Sequence, residues 1–260
     1  MNRPQLGTCV VGIVSDGAIV AGADTLVNKD GGGRAGSPKV VAVARNVVLA
    51  SCGLGEWRAT GERRDGTPVR LDYSFLAVTK MIHDELRPGG SPWAAVQIVM
   101  RELRTRLEYG ADSAITDPNV ERLRALPHLL ECLVAGFQGP YPALFRITVT
   151  IDWQRIGLLV QWQRVPIDNG RALLVMGSAG ALDVGGINGR LRAASRFPVA
   201  DAEREILTGI DLQARATPRE VAFPVAVVIA KSDGISRLRV FERADAGPGA
   251  DHPIGGYPGE

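Results

Sequence analysis

The 260-residue chain is short of the residues that most often carry hydrolytic or redox chemistry: it has three histidines, His83, His128 and His252, and three cysteines, Cys9, Cys52 and Cys132. Three scattered histidines exclude a histidine-rich metal centre and leave little material for a Ser/His/Asp triad. The cysteines form no CxxC pair, and an odd count does not suggest a disulfide framework, so a reducing compartment is the simple reading. No apolar run reaches about 18 residues, so no membrane span is expected. The N-terminal MNRPQLG lacks the apolar core of a signal peptide, and a cytoplasmic location is expected. Charge of one sign is not in excess either: 30 Lys and Arg stand against 28 Asp and Glu, a net charge of +2. That balance argues against a dedicated nucleic-acid binder, and the Arg clusters at 58–70 and 101–106 read as solvated faces. Gly31-Gly32-Gly33 lacks the Gly-Lys-Ser/Thr end of a phosphate loop and precedes a strand, so no cofactor is expected. Any chemistry in this chain is expected to proceed without histidine.

What remains is a globular composition with 45% hydrophobic and 22% charged residues, enough to bury a core without disulfides or metals. TCVVGIV (8–14) and AIVAGAD (18–24) read as strands joined at Asp16-Gly17, a strong hairpin signal. After the Gly-rich KDGGGRAGSP, KVVAVA (39–44) and VVLASCG (47–53) read as a second hairpin. Their near-continuous apolarity is that of strands buried on both faces. Residues 58–70 read as an exposed loop, as do 110–120. Leu71, Phe75, Val78, Ile82 and Leu86 then repeat at helical spacing. Ser91-Pro92 supplies an N-cap and first-turn proline for a helix with Val96, Val99, Leu103 and Leu107 inward. Strands return at 131–137, 143–151, 156–163 and 172–177, followed by helices at about 182–195 and 201–214. FPVAVVIA and ISRLRVF close the core, and AGPGADHPIGGYPGE reads as a flexible tail. Segregated runs of strands and helices favour α+β layers, with two antiparallel sheets sandwiched between helix pairs.

Four residues fall at strand ends that two adjacent hairpins could bring together: Thr8, Asp24, Lys39 and Gly53. A threonine hydroxyl is a poor nucleophile until a base takes its proton. The threonine's own α-amine, with an ordinary pKa of about 7.7–8.0, can serve if the residue becomes the first of the chain. A buried lysine favours the alkoxide electrostatically, and an aspartate keeps that lysine charged and oriented. A glycine N–H can stabilise an oxyanion. Cys9, one residue along the strand from Thr8, points to the opposite face and reads as core.

The stretch TCVVGIVSDGAIVAGAD…SPKVVAVARNVVLASCGLGEW resembles the N-terminal half of proteasome β subunits and their bacterial peptidase relatives. These are N-terminal-nucleophile hydrolases with a four-layer αββα sandwich, in which a propeptide is removed autocatalytically at a Gly-Thr bond. The resemblance implies that 1–7 is a short propeptide cleaved after Gly7, that 8–244 is the hydrolase domain, and that 245–260 is a tail. It implies Thr8 as nucleophile, Asp24 and Lys39 as its electrostatic support, and Gly53 as the oxyanion glycine. ECLVAGFQGPYPALFRI resembles the family's central hairpin, FPVAVVIAKSDG its last core hairpin, and MGSAG the segment whose serine, here Ser178, supports the N-terminal amine. A homo-oligomeric ring acting on peptide or unfolded protein is implied, and an ATP-dependent unfoldase or activator is among the partners the resemblance allows.

The chain also departs from that pattern. Leu26 stands where the family places an arginine. DLQARATPRE stands where it has Asp-x-x-Ser-Gly-Gly, leaving Asp211 as the candidate for the aspartate near the amine. The segments at 58–70 and 152–170 are longer than usual. Two other readings stay open: a different N-terminal-nucleophile amidohydrolase with another pocket, and an unprocessed, non-catalytic scaffold subunit.

Overall fold

The fold was analysed in a computed structural model, which describes residues 8–29, 32–35, 39–62, 65–86, 90–108, 128–152, 154, 157–218, 220–234, 236–242 and 252–253. The Val/Ala runs on either side of Asp16-Gly17 fold back on each other as β1 (Cys9–Ser15) and β2 (Ala18–Asp24), with Val10 opposite Ala23. Every residue of both strands is buried, as continuous apolarity predicts. Arg45-Asn46 likewise joins β5 (Val40–Ala44) to β6 (Val47–Gly53).

Two hairpins depart from expectation. β3 (Leu26–Lys29) pairs with β4 (Gly32–Ala35) inside the Gly-rich stretch. β7 (Glu56–Glu62) pairs with β8 (Pro68–Ser74), so the exposed loop expected at 58–70 is a two-stranded ribbon. Leu71 and Tyr73 alternate inward along β8, and Leu71 therefore belongs to this ribbon rather than to the helical stripe. Helix α1 (Phe75–Glu85) starts after it. Helix α2 (Pro92–Leu107) begins as its sequence indicates, with Ala94 N–H donating to the Ser91 hydroxyl at 3.1 Å and proline in the first turn.

The remaining elements are β9 (Leu130–Gln138), β10 (Tyr141–Asp152), β11 (Gly157–Arg164), β12 (Ala172–Gly177), α3 (Val184–Ala193), α4 (Val199–Ala216), β13 (Val225–Lys231) and β14 (Ser236–Phe241). Within the expected tail, β15 (His252–Pro253) pairs with Arg237 and Leu238. The loop expected at 110–120 lies outside the described residues.

One antiparallel sheet has the order β12-β1-β2-β13-β14-β15 and a second β11-β10-β9-β6-β5. Alternation along the strands then sorts the core into three apolar layers. Val10, Val14, Leu133, Leu144, Met176 and Val228 meet between the two sheets. Ile13, Val20 and Val227 face Ile187, Ile206 and Ile210 of α3 and α4. Leu49, Val134 and Ile147 face Val78, Ile82, Val96 and Leu103 of α1 and α2. The molecule is α+β: two facing antiparallel sheets, each with a helix pair on its outer side. No helix among the described residues is long and apolar enough to cross a membrane.

Candidate active site

Antiparallel pairing of β1 with β2 brings the start of the first strand beside the end of the second. Cys9 N–H donates to Asp24 Oδ1 at 2.9 Å, so the aspartate anchors the backbone immediately after Thr8. The other carboxylate oxygen accepts from Lys39 Nζ at 3.1 Å, and the same Nζ donates to Thr8 Oγ1 at 2.6 Å. Asp24 is fully buried and Thr8 nearly so. A buried carboxylate is costly unless paired and hydrogen-bonded, and here both oxygens have partners. Burial pulls the Lys39 pKa below its ordinary 10.5, while Asp24 opposes that shift. The arrangement holds an ammonium of weakened basicity against a threonine hydroxyl.

β5 and β6 deliver the other side. Ser51 N–H donates to Lys39 O at 2.9 Å, which ties the residue preceding β5 to the far end of β6. Gly53 closes β6 at φ 98°, in the region that favours glycine. β12 passes on the opposite flank. Ser178 N–H donates to Thr8 O at 2.8 Å, and the Ser178 hydroxyl donates to Glu220 Oε2 at 3.0 Å. Gly177, at φ 76°, has no room for a side chain: a Cβ there would lie 2.0 Å from Thr8 O and 3.1 Å from Cys52 Cβ.

Thr8, Asp24, Lys39 and Ser178 are thus in one hydrogen-bonded group, with Gly53 next to the Cys52 that packs on Gly177. Asp211 is elsewhere: on α4 its carboxylate pairs with Arg215 at 2.7 Å, one turn along the helix. The carboxylate that meets Ser178 is Glu220, nine positions later. It closes the DLQARATPRE segment, but nothing in local pattern distinguishes it from Asp211. Gly7 lies outside the described residues.

Cys9 is buried among Val11, Ile13 and the helix pair, on the face away from Thr8. Burial, reinforced by Asp24, pushes its thiol up to about 12, which keeps it protonated and inert. His83 Nδ1 lies 3.4 Å from Val43 O, and His128 Nδ1 lies 3.4 Å from Thr150 Oγ1. Among the described residues no cluster of three or more His, Cys, Asp or Glu side chains is grouped to hold a metal ion. A cleft of about 520 Å³ lies along β10 and β11, lined by Arg104, His128, Arg146, Thr148 and Gln161.

No family model and no curated protein matches the sequence. Among solved structures, the chain is similar to a mutant of Anbu from Hyphomicrobium sp. strain MC1. The TM-score is 0.52 at 16% identity, covering 95% of this chain and 87% of that one. The likeness is one of fold.

Proposed function

We propose that the protein is a proteasome-like threonine hydrolase of the N-terminal-nucleophile type, matured by cleavage between Gly7 and Thr8 and acting on peptide bonds. One observation carries the reading: Lys39 Nζ donates to both the Thr8 hydroxyl, at 2.6 Å, and the buried Asp24 carboxylate, at 3.1 Å. A structural threonine at a strand start does not need a desolvated lysine against its oxygen. The fold likeness to the Anbu structure and the helix–sheet–sheet–helix layering both agree with the αββα sandwich of that reading.

In the mature chain the Thr8 α-amine takes the hydroxyl proton as Oγ1 attacks a peptide carbonyl. Lys39, held by Asp24, stabilises the developing alkoxide, and the Gly53 N–H receives the oxyanion. The proton passes to the departing amine as the C–N bond breaks. Water then attacks the acyl ester, gives its proton to the α-amine and restores the threonine. Ser178 fixes the strand end and orients the amine, with Glu220 in the role that sequence reading gave to Asp211. Assembly into a homo-oligomeric ring belongs to the same reading.

Intact and native mass of the purified protein test it together. The expected result is an oligomer of chains lacking residues 1–7, with Thr8 modified by a peptide vinyl sulfone. Thr8→Ala should abolish both processing and hydrolysis while the fold is retained. A persistent full-length chain, inert to the electrophile, would sink the reading. A panel of peptides against small amides separates peptidase from amidohydrolase.

A further inference from the structure

Glu131 has no part in the chemistry above, yet it sits at the junction of everything that surrounds Thr8. It lies on β9 between Leu130 and Cys132, on the side of the strand that carries Leu133 and Ala135 into the layer between the sheets, and is 4% exposed. Its Oε1 accepts from Arg146 Nε at 2.9 Å and from Arg146 Nη2. Its Oε2 accepts from Gly177 N–H at 3.2 Å and from the Cys52 thiol at 3.6 Å. Glu131, Arg146 and Cys52 belong to one sheet and Gly177 to the other, so the carboxylate is a polar tie across an otherwise apolar layer.

The tie falls where β12 passes the threonine. β12 is the edge strand of its sheet, and Gly177 finds its acceptor in Glu131 of the opposite sheet. The space that Gly177 leaves is filled by Thr8 O, which the next amide, Ser178 N–H, holds at 2.8 Å. The carboxylate is buried while Arg146 reaches partly into solvent. A charge buried in this way is a poor device for stability, since well-packed apolar residues of similar volume serve as well or better. Its value lies in fixing one arrangement.

We propose that Glu131, oriented by Arg146, is a positioning residue for the Thr8 nucleophile: it pins the Gly177 amide and thereby the notch that seats the Thr8 carbonyl. This rests on Thr8 being the nucleophile. The pair reaches Thr8 through the Gly177 amide and the neighbouring Cys52 thiol rather than through substrate, so it governs the rate of reaction at Thr8 and not the binding of substrate.

The test uses the full chain as expressed, carrying Glu131→Gln, Arg146→Met, or both. Three quantities are measured: the rate of Thr8 modification by a peptide vinyl sulfone, kcat and KM on a peptide substrate, and amide hydrogen exchange at Gly177 and Ser178. Glu131→Gln keeps one acceptor oxygen, which the guanidinium claims, and turns the amide NH₂ against the Gly177 N–H, donor facing donor. It should slow Thr8 modification and kcat tenfold or more, leave KM within twofold, and speed exchange at the two amides while central β1 and β2 are unchanged. Arg146→Met leaves the carboxylate without its partner and should be slower still. In the double variant the carbonyl of the introduced side-chain amide can accept from Gly177 N–H without a mismatched cation, and the rates should return to within threefold of the parent. A purely structural pair would lower the unfolding midpoint equally and leave the reactivity of folded molecules alone. Unchanged modification and exchange in Glu131→Gln, or a double variant no faster than Arg146→Met, overturns the inference. Failure of the underlying reading looks different: the parent itself is not modified at Thr8, and catalytic positioning falls with it.

Discussion

At the scale of single residues, the site turns on two opposed influences on Lys39. Burial weakens its basicity and the Asp24 carboxylate restores part of it. If the ammonium form is the one that stabilises the alkoxide, activity is lost as pH rises through the depressed lysine pKa. The alkaline limb of kcat/KM should therefore lie below the ordinary lysine value of 10.5. On the proposed mechanism the acid limb belongs to the Thr8 α-amine, whose ordinary pKa is about 7.7–8.0 and which must be neutral to act. Asp24→Asn removes the group that holds the Lys39 pKa up, so the alkaline limb should move further down and kcat/KM should fall by roughly 10²–10⁴. A limb that moves up in Asp24→Asn contradicts the assignment. The strand-end positions of Thr8, Asp24 and Lys39 were legible in sequence because each bounds an apolar run. Hairpin pairing fixes only Thr8 beside Asp24, and Lys39 of the other sheet was singled out by the resemblance to proteasome β subunits. Glu220, Gly177 and Glu131 were not legible, because their partners come from remote strands. A glutamate opening the buried run ECLVAGF was nevertheless a signal: a charge in such a strand must have a partner.

At the scale of elements, the turn joining β5 and β6 docks onto β9. Phe137 N–H donates to Asn46 O at 3.1 Å, and Asn46 Nδ2 donates to Phe137 O at 2.7 Å. Gly136 permits this approach: a Cβ there would lie 2.2 Å from Asn46 O and 2.9 Å from Pro92 Cγ. A carbonyl oxygen cannot swing aside as a side-chain tip can, so Gly136→Ala should destabilise by about 1–3 kcal/mol through overpacking. Urea unfolding should show a lower midpoint at unchanged slope. An unchanged midpoint would mean that the turn detaches from β9 without cost. The same scale shows where pattern reading stops. Val69, Leu71 and Tyr73 alternate as a half-buried strand should, but Leu71 and Phe75 are also spaced as a helix stripe. With a strand running straight into a helix, both periods fit the same residues. The charged RATGERRDGTPVR reads as loop because a two-stranded surface ribbon buries only one face. The long buried strands, with no such competition, were readable nearly to the residue.

For the whole molecule, the decisive feature is that the middle apolar layer is shared. Val10, Val14, Ile19, Met176 and Val228 from one sheet meet Leu133, Ala135 and Leu144 from the other. Neither sheet can keep that face buried alone, so the two halves should unfold together even in a chain long enough to populate intermediates. The tryptophans make this measurable. Trp57 packs into the layer beneath α1 and α2, and Trp93 and Trp162 meet edge-to-face at 4.6 Å on the same half. No tryptophan falls among the described residues of β1, β2, β12, β13, β14, α3 or α4. Fluorescence from Trp57, Trp93 and Trp162 therefore reports one half, whereas far-UV circular dichroism reports both. The two urea transitions should coincide. Leu133→Ala should then lower both by the same amount, a loss of about 2–5 kcal/mol for a leucine in a packed core, because Leu133 fills the space over Gly12, where a Cβ would lie 2.4 Å from its Cδ1. If the dichroism transition splits and fluorescence follows only one phase, the sheets are separate folding units joined by contact. The positions of Thr8 on one sheet and Lys39 on the other would then be set by that weaker contact. If the transitions coincide, Thr8 and Lys39 are held in register by the most cooperative part of the structure.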